Sequence, residues 1–368
     1  MSTFFYEAKK LFLYQRGVWT ILVFFAISAA FLVFGDSPAD EAQLYYREQY
    51  GCYLETLRGP LTEEKEAFII KEAQAISDAG IAYTRLLEGY YQGAVSEAEF
   101  SAEGARLRET LANSGGFDVI HAQYRYAYEN RHNRYLMATN GWAALLHQSN
   151  GDYLLTVALI LLAVPVFCGE YKSEIQMIAL CTRRGGYSYG VQKPLLLILV
   201  SGGLAAAVCA ARLVFVCAKY GLENGDFPLQ SLAAFGDAVK PLSLWQAFAL
   251  ASLLKIFGAL YFAAIVLLVS VLVKKQALTA LLSCVLGFFP ALALSDAQQY
   301  ALPLPAPFIN SVGFLRGSVF TQSMVTGEDV CLFREIGFPA LALRLAAALL
   351  ILAVCLFEIR RRNRNNWT

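Results

Sequence analysis

Apolar runs long enough to cross a membrane alternate with short polar connectors over most of this chain. A helix needs about 20 mainly apolar residues to cross the hydrocarbon core of a bilayer. Six runs approach that length, and Lys274 and Lys275 separate the fourth from the fifth because two lysines at mid-bilayer would be costly. We therefore predict six membrane-spanning helices, at residues 18–34, 153–168, 194–218, 244–273, 277–294 and 338–357.

Nearly half of the charged residues, 27 of 59, lie in one long insertion, residues 35–150, between the first and second predicted spans. A charged, alanine-rich stretch from residue 62 to about 91 predicts a long helix. Ser96 and Glu99 have the spacing of a capping box and predict the start of another helix. The insertion is therefore predicted to be a small helical bundle.

The second half of the insertion carries two further expectations. The Ser-Gly-Gly run at 114–116 predicts a left-handed glycine cap, and a helix is expected from about 117 toward 142. Tyrosines and arginines cluster in that predicted helix. They either bind a ligand or form the packed and solvated faces of the helix. They are Tyr124, Tyr126, Tyr128, Tyr135, Arg125, Arg131 and Arg134.

Two other segments are amphipathic or mixed. Residues 1–17 place aromatic and lysine side chains at helical spacing, which favours an amphipathic helix lying in the membrane interface over a plain lead-in to the first span. Residues 295–337 contain three prolines and then a second apolar stretch, and we expect this segment to fold back against the outer membrane surface.

The basic residues near span ends give the orientation, since lysine and arginine favour the cytoplasmic side. Both termini, including the tail 358–368, are therefore predicted to be cytoplasmic, and the insertion extracytoplasmic, in a multi-pass protein of the cell membrane. The clusters that agree with six spans are Lys9, Lys10 and Arg16; Lys172, Arg183, Arg184 and Lys193; Lys274 and Lys275; and Arg360, Arg361, Arg362 and Arg364.

Composition and motifs exclude several functions. Hydrophobic residues make up 57% of the chain and charged residues 16%, against about 25% charged in a soluble domain. A net charge of +1 without a basic stripe argues against nucleic-acid binding. The sequence has no phosphate-binding loop and no zinc motif, so we expect no cofactor in this chain. Cys52 and Cys331 both fall outside the spans, and nothing in their spacing demands a disulfide.

Three cationic residues fall inside predicted spans: Arg212, Lys255 and Arg344. Ionisable groups in a bilayer are functional candidates, here for contact with a cargo along a path. The alternative is that each reaches out to the membrane interface, because each lies toward the outer end of its span.

The connector at 170–193 is the largest cytoplasmic segment in this topology. It begins with Glu170 at the membrane exit, continues through Leu-Cys-Thr-Arg-Arg-Gly at 180–185, and ends with Lys193 before the third span. With the interfacial helix, six spans and a long outer segment before the last span, it resembles the permease subunits of type-two ABC exporters. The alternative is an ordinary positive-inside loop.

The resemblance implies a transport permease that forms the translocation path without catalysing a reaction itself. Its ATP would be bound by a separate ATP-binding subunit, and the chain would pair with a second copy or a related permease. The residues implied in coupling to the ATPase are Glu170, Tyr171, Glu174, Thr182, Arg183, Arg184 and Lys193. The insertion is larger than the usual loop of the family, which leaves the substrate open.

The sequence leaves room for two other classes of function. A membrane sensor or immunity-type binding protein would use the insertion to capture a ligand. A membrane enzyme would need paired polar residues at one depth in the spans, and the sequence shows no such pair.

Overall fold

The computed structural model describes residues 3–35, 40–147, 151–173, 185–293, 305, 312–316, 319–322, 329–333 and 337–365. Nearly all of these residues are helical, as the sequence predicts for the fold class. Two short strands, Val319–Gln322 and Asp329–Phe333, pair antiparallel and follow a short helix, Val312–Arg316, in the chain. These elements lie in the predicted outer segment 295–337, most of which falls outside the described residues.

A sharp turn separates the N-terminal helix from the first apolar helix. Helix α1 spans Thr3–Lys9 and continues as a π-helical turn over Lys10–Tyr14. Arg16 then has a left-handed backbone, with φ of 60°, before helix α2 begins at Gly17 and runs to Phe34. A β-carbon at Gly17 would lie 2.7 Å from the Leu11 carbonyl oxygen, so the turn requires glycine there. The predicted helix within 1–17 is thus a separate element from α2.

Residues 40–147 form a helical unit, here called the insertion domain. Its helices are α3 Glu41–Tyr45, α4 Arg47–Leu57, α5 Glu63–Tyr91, α6 Glu97–Leu111, α7 Ser114–Tyr128 and α8 Asn140–Leu146. The predicted capping box is confirmed, because the Ser96 and Glu99 side chains each accept from the other's backbone N–H. The predicted helix over 62–91 is also confirmed, with Thr62 as its N-cap. Apolar side chains of α4, α5 and α7 form its core.

Two predictions in the insertion domain are wrong. Gly115 and Gly116 form the first turn of α7 and do not cap α6, which ends at Leu111. A β-carbon at Gly116 would lie 2.8 Å from the Tyr50 backbone nitrogen, so this glycine serves close packing against α4. The helix expected over 117–142 ends at Tyr128. It does not continue because Leu136 exchanges two backbone hydrogen bonds with Gly59.

The apolar helices form a bundle around one central member. They are α9 Gly151–Ser173, α10 Gly185–Tyr220, α11 Leu244–Val273, α12 Gln276–Ala293 and, after the short helix α13 at Val312–Arg316, α14 Gly337–Asn365. Helix α11 packs against all four of the others. The predicted break at Lys274 is confirmed, since this residue has a left-handed backbone with φ of 63° and α12 begins at Gln276.

Three described helices are long and apolar enough to cross a membrane, namely Gly17–Phe34, Val191–Tyr220 and Leu244–Val273. Protein buries 56% of the spanning stretch of Leu244–Val273 but only 11% of Gly17–Phe34, so the first helix is peripheral. The other three predicted spans coincide with shorter apolar helices, Tyr153–Val166, Gln276–Phe289 and Leu341–Cys355. The count of six spans stays a prediction.

The insertion domain is docked on one end of this bundle. Trp142 of α8 is fully buried among side chains of α10, α11 and the loop between them, residues 221–243. Its indole N–H donates to the Glu223 carbonyl oxygen at 2.6 Å, and its ring meets the Trp245 ring edge-on at 4.9 Å. The insertion domain is thus joined to the ends of α10 and α11 by a shared apolar core.

Candidate functional site

The residues predicted to couple to an ATPase lie within or on either side of a segment that the structure does not describe. Glu170 and Tyr171 lie in the last turn of α9, and Lys193 lies in α10. Glu174, Thr182, Arg183 and Arg184 fall within 174–184, which is not described. The described structure therefore shows what holds the two helices that lead into and out of this segment.

Lys193 is fully buried where α1 meets α10. Its ammonium nitrogen lies 3.8 Å from a Glu7 carboxylate oxygen and 3.5 Å from the Val166 carbonyl oxygen of α9. Burying a charged amine is costly unless an opposite charge and hydrogen-bond acceptors compensate it. Lys193 therefore links α1, α9 and α10 from inside the bundle, and its side chain is not presented at the surface.

A second hydrogen bond reinforces the same place. The Gln15 side-chain amide donates to the Pro165 carbonyl oxygen at 3.1 Å, one residue before the carbonyl that accepts from Lys193. We call Glu7, Gln15, Pro165, Val166 and Lys193 the polar junction. Sequence reasoning named Lys193 but missed Glu7 and Gln15. The available signal was an acidic residue among the apolar and basic side chains of the N-terminal helix.

The three cations predicted inside spans have different surroundings. Arg212 donates to the carbonyl oxygens of Ala144, at 2.7 Å, and His147, at the C-terminal end of α8. A cation there also complements the negative end of the helix dipole. Arg344 is fully buried and Lys255 is 8% exposed, so protein encloses both side chains. Their roles as path charges stay predictions.

Burial, and then the charges of Arg212 and Arg316, hold the pKa of His147 below its usual value. The imidazole at the end of the insertion domain is therefore kept neutral to lower pH than a free histidine. Protonating it would place a third positive charge beside the two arginines.

The tyrosine and arginine cluster of the insertion domain is largely engaged in internal contacts. Arg131 pairs with Glu66 at 3.0 Å, and Tyr124 donates to the same carboxylate. The Tyr126 hydroxyl donates to the Gln230 carbonyl oxygen at 2.7 Å, which ties α7 to the 221–243 loop. These contacts favour the alternative in which the cluster forms the packed and solvated faces of a helix over the one in which it binds a ligand.

Cys52 has a free, exposed thiol, and the side chain of Cys331 lies outside the described part of the structure. Cys52 lies in α4, on the surface of the insertion domain. Cys181, by contrast, lies in the undescribed segment 174–184.

The described helices indicate a membrane protein, since three of them have the length and apolar composition of membrane spans. Large apolar side chains on the peripheral helix α2 face outward, among them Trp19 at 68% exposed and Phe34 at 86%. Comparisons with protein-family models, with curated proteins and with solved structures give no match.

Proposed function

We propose that this chain is the membrane-spanning permease subunit of an ATP-driven exporter of the type-two ABC class. It forms a translocation path with six spans, both termini in the cytoplasm and the insertion domain outside the cell. It carries no ATPase site of its own and couples through residues 170–193 to a separate ATP-binding subunit. The permease unit is a dimer of two copies or of this chain with a related one.

The observation that carries this proposal is the polar junction. A motor that pushes on residues 174–184 must move α9 and α10, which enter and leave that segment. The Lys193 side chain connects these two helices to each other and to α1. A push at this point is therefore delivered to three helices together. An ordinary positive-inside loop needs no such buried connection.

Helix α10 is long enough to connect the two ends of the molecule. From Lys193 to Lys219 the helix rises about 39 Å at roughly 1.5 Å per residue, which spans a bilayer. The insertion domain sits at the Lys219 end, opposite the polar junction. Movement of α10 at one end would thus reach the docked domain at the other.

The two native cysteines Cys52 and Cys181 test the orientation. In a variant that keeps only these two, a membrane-impermeant maleimide added to intact cells is expected to label Cys52 and to spare Cys181. Cys181 becomes labelled once the cells are permeabilised. Cys52 serves as the internal control because its thiol is exposed on the insertion domain. Labelling of Cys181 from outside would contradict the proposal, since a cytoplasmic motor could not reach it.

Charge reversal tests the coupling. In membranes where the tagged full chain co-purifies with an ATPase, Glu170→Lys and Arg183→Glu are each expected to lower that association at least about tenfold, as loss of an interface hot spot does. ATP-dependent export should fall with it. Quantitative co-purification and transport into inverted vesicles measure the two effects.

Matched controls are Asp78→Lys and Lys71→Glu, which reverse exposed charges on α5 of the insertion domain. They are expected to leave the association unchanged. If co-purification and transport both survive the changes at Glu170 and Arg183, the coupling role of that segment is wrong.

A further inference from the structure

A cleft of about 280 Å³ opens between the insertion domain and the Tyr220 end of α10. That volume corresponds to roughly nine water molecules at about 30 Å³ each, enough for a small organic molecule. Its walls come from α3, α4, the start of α8 and the turn that follows α10. A molecule bound there would touch both the insertion domain and a helix of spanning length.

The charged side chains that line the cleft do not balance within it. Arg47, Arg58 and Lys219 face two carboxylates, Glu55 and Glu223. Arg58 and Glu223 neutralise each other in an ion pair of 3.0 Å across the cleft. Among the described residues, Arg47 and Lys219 have no carboxylate within ion-pair distance, so two cations remain against one carboxylate.

Asn224 adds an unused hydrogen-bond donor to this lining. Its side-chain amide nitrogen is buried and has no acceptor among the described residues. The residue is held in a left-handed backbone, with φ of 58°, and its carbonyl accepts from the Phe227 N–H. A buried donor without an acceptor is unfavourable, and a ligand oxygen would remove that cost.

The rest of the cleft is apolar or already satisfied. Leu54 and Tyr50 are buried in its wall. The Tyr50 hydroxyl donates to the Met137 carbonyl oxygen and accepts from Gln123, both at 2.8 Å. Burial raises the pKa of Tyr50, so the phenol stays neutral and adds contact surface but no charge to the cleft. The cleft therefore has more cations than carboxylates and one hydrogen-bond donor without an acceptor, and part of its wall is apolar.

We propose that this cleft binds a small anionic molecule, a carboxylate or phosphate monoester with a short apolar group, whose oxygens meet Arg47, Lys219 and Asn224. The ligand bridges the insertion domain to α10. The proposal does not depend on a partner ATPase, because every group that forms the cleft belongs to this chain.

Two tryptophans beside the cleft allow binding to be followed directly. Trp142 donates to the Glu223 carbonyl oxygen, and Trp245 packs against Trp142 and next to Gly225. With Trp19 and Trp367 replaced by phenylalanine, the fluorescence of the purified full chain in detergent reports on this loop. Pentanoate and butyl phosphate are the anionic probes, and pentylammonium is the cationic counterpart of similar size.

We expect a saturable fluorescence change with at least one anion and a markedly weaker one with pentylammonium. Arg47→Gln and Lys219→Gln should each raise Kd about tenfold, the loss expected for a hydrogen bond to a charged group. Asn224→Gly keeps the left-handed backbone without the amide and should raise Kd about fivefold. A response to butyl phosphate alone would show that the ligand is a phosphate. A response to pentanoate alone would show that it is a carboxylate.

Arg85→Gln and Lys71→Gln are the matched controls, since they remove exposed cations from α5, whose residues do not line the cleft. The proposal is overturned if neither anion gives a saturable change, or if pentylammonium binds as tightly as the anions. It is also overturned if the variants at Arg47 and Lys219 keep the affinity of these controls. None of these results depends on whether an ATPase couples to the chain.

Discussion

Replacing Trp142 with alanine is expected to lower the free energy of unfolding by about 3–5 kcal/mol, the range for removing a large buried aromatic side chain. Trp142 is fully buried at the point where α8 meets α10 and α11. Its loss leaves a cavity in that shared core and removes the hydrogen bond to the Glu223 carbonyl oxygen. Because this core docks the insertion domain, the domain should come away from the bundle before the bundle itself unfolds.

Thermal unfolding in mild detergent and limited proteolysis of the insertion domain measure the effect. Trp19→Ala is the matched control, because Trp19 is 68% exposed on the peripheral helix α2. It should change the melting temperature far less. Equal melting temperatures for the two variants, with no gain in cleavage at the insertion domain, would show that the Trp142 core does not dock it.

The second large effect is expected at the polar junction. Glu7→Gln removes the carboxylate that faces the fully buried ammonium of Lys193. Removing one member of a buried pair leaves the remaining charge less well compensated and typically costs about 3–5 kcal/mol. Glu7 is itself partly exposed, so we expect the lower end of that range, with loss of contact between α1 and α10.

The double variant Glu7→Leu/Lys193→Met separates this charge effect from packing. Replacing both members of a buried pair by apolar residues of similar size is often neutral, so its stability should lie within about 1 kcal/mol of the native chain. Glu41→Gln, at an exposed position of α3, controls for loss of a carboxylate as such. A double variant as unstable as Glu7→Gln would mean that the pair itself, not the stranded charge, holds the junction.

The double variant also separates stability from transport in the proposed function. It should fold, yet it has lost the direct link from Lys193 to α1 and to the Val166 carbonyl oxygen. If the junction transmits the push of the motor, ATP-dependent export should fall while the melting temperature holds. Full export in this variant would assign the junction to folding alone.

Several local features follow from the sequence because they depend on neighbouring residues. The Ser96 and Glu99 cap and the Thr62 cap arise from hydrogen bonds within four residues, so their spacing is sufficient to place them. The break at Lys274 follows from the cost of lysine in an apolar run. The long apolar helices α2, α10 and α11 were recognisable from run length alone.

Other features depend on contacts between residues far apart in the chain. The sequence predicts a cap at Gly116, but its role is set by Tyr50 of α4, 66 positions away, which leaves no room for a side chain. The helix expected to continue past Tyr128 stops because Leu136 pairs with Gly59. Local pattern carries no information on such partners, since a backbone group hydrogen-bonds equally well within a helix or to a distant segment.

By itself the sequence determined that this is a largely helical chain with apolar helices of spanning length and a polar helical insertion, because periodicity and run length report the local environment of each residue. Only the tertiary structure decided that Lys193 is buried against Glu7, that Trp142 docks the insertion domain, and that Arg47, Lys219 and Asn224 line one cleft. Each of these arrangements joins residues that are far apart in the chain, and it is the packing of helices that brings them together.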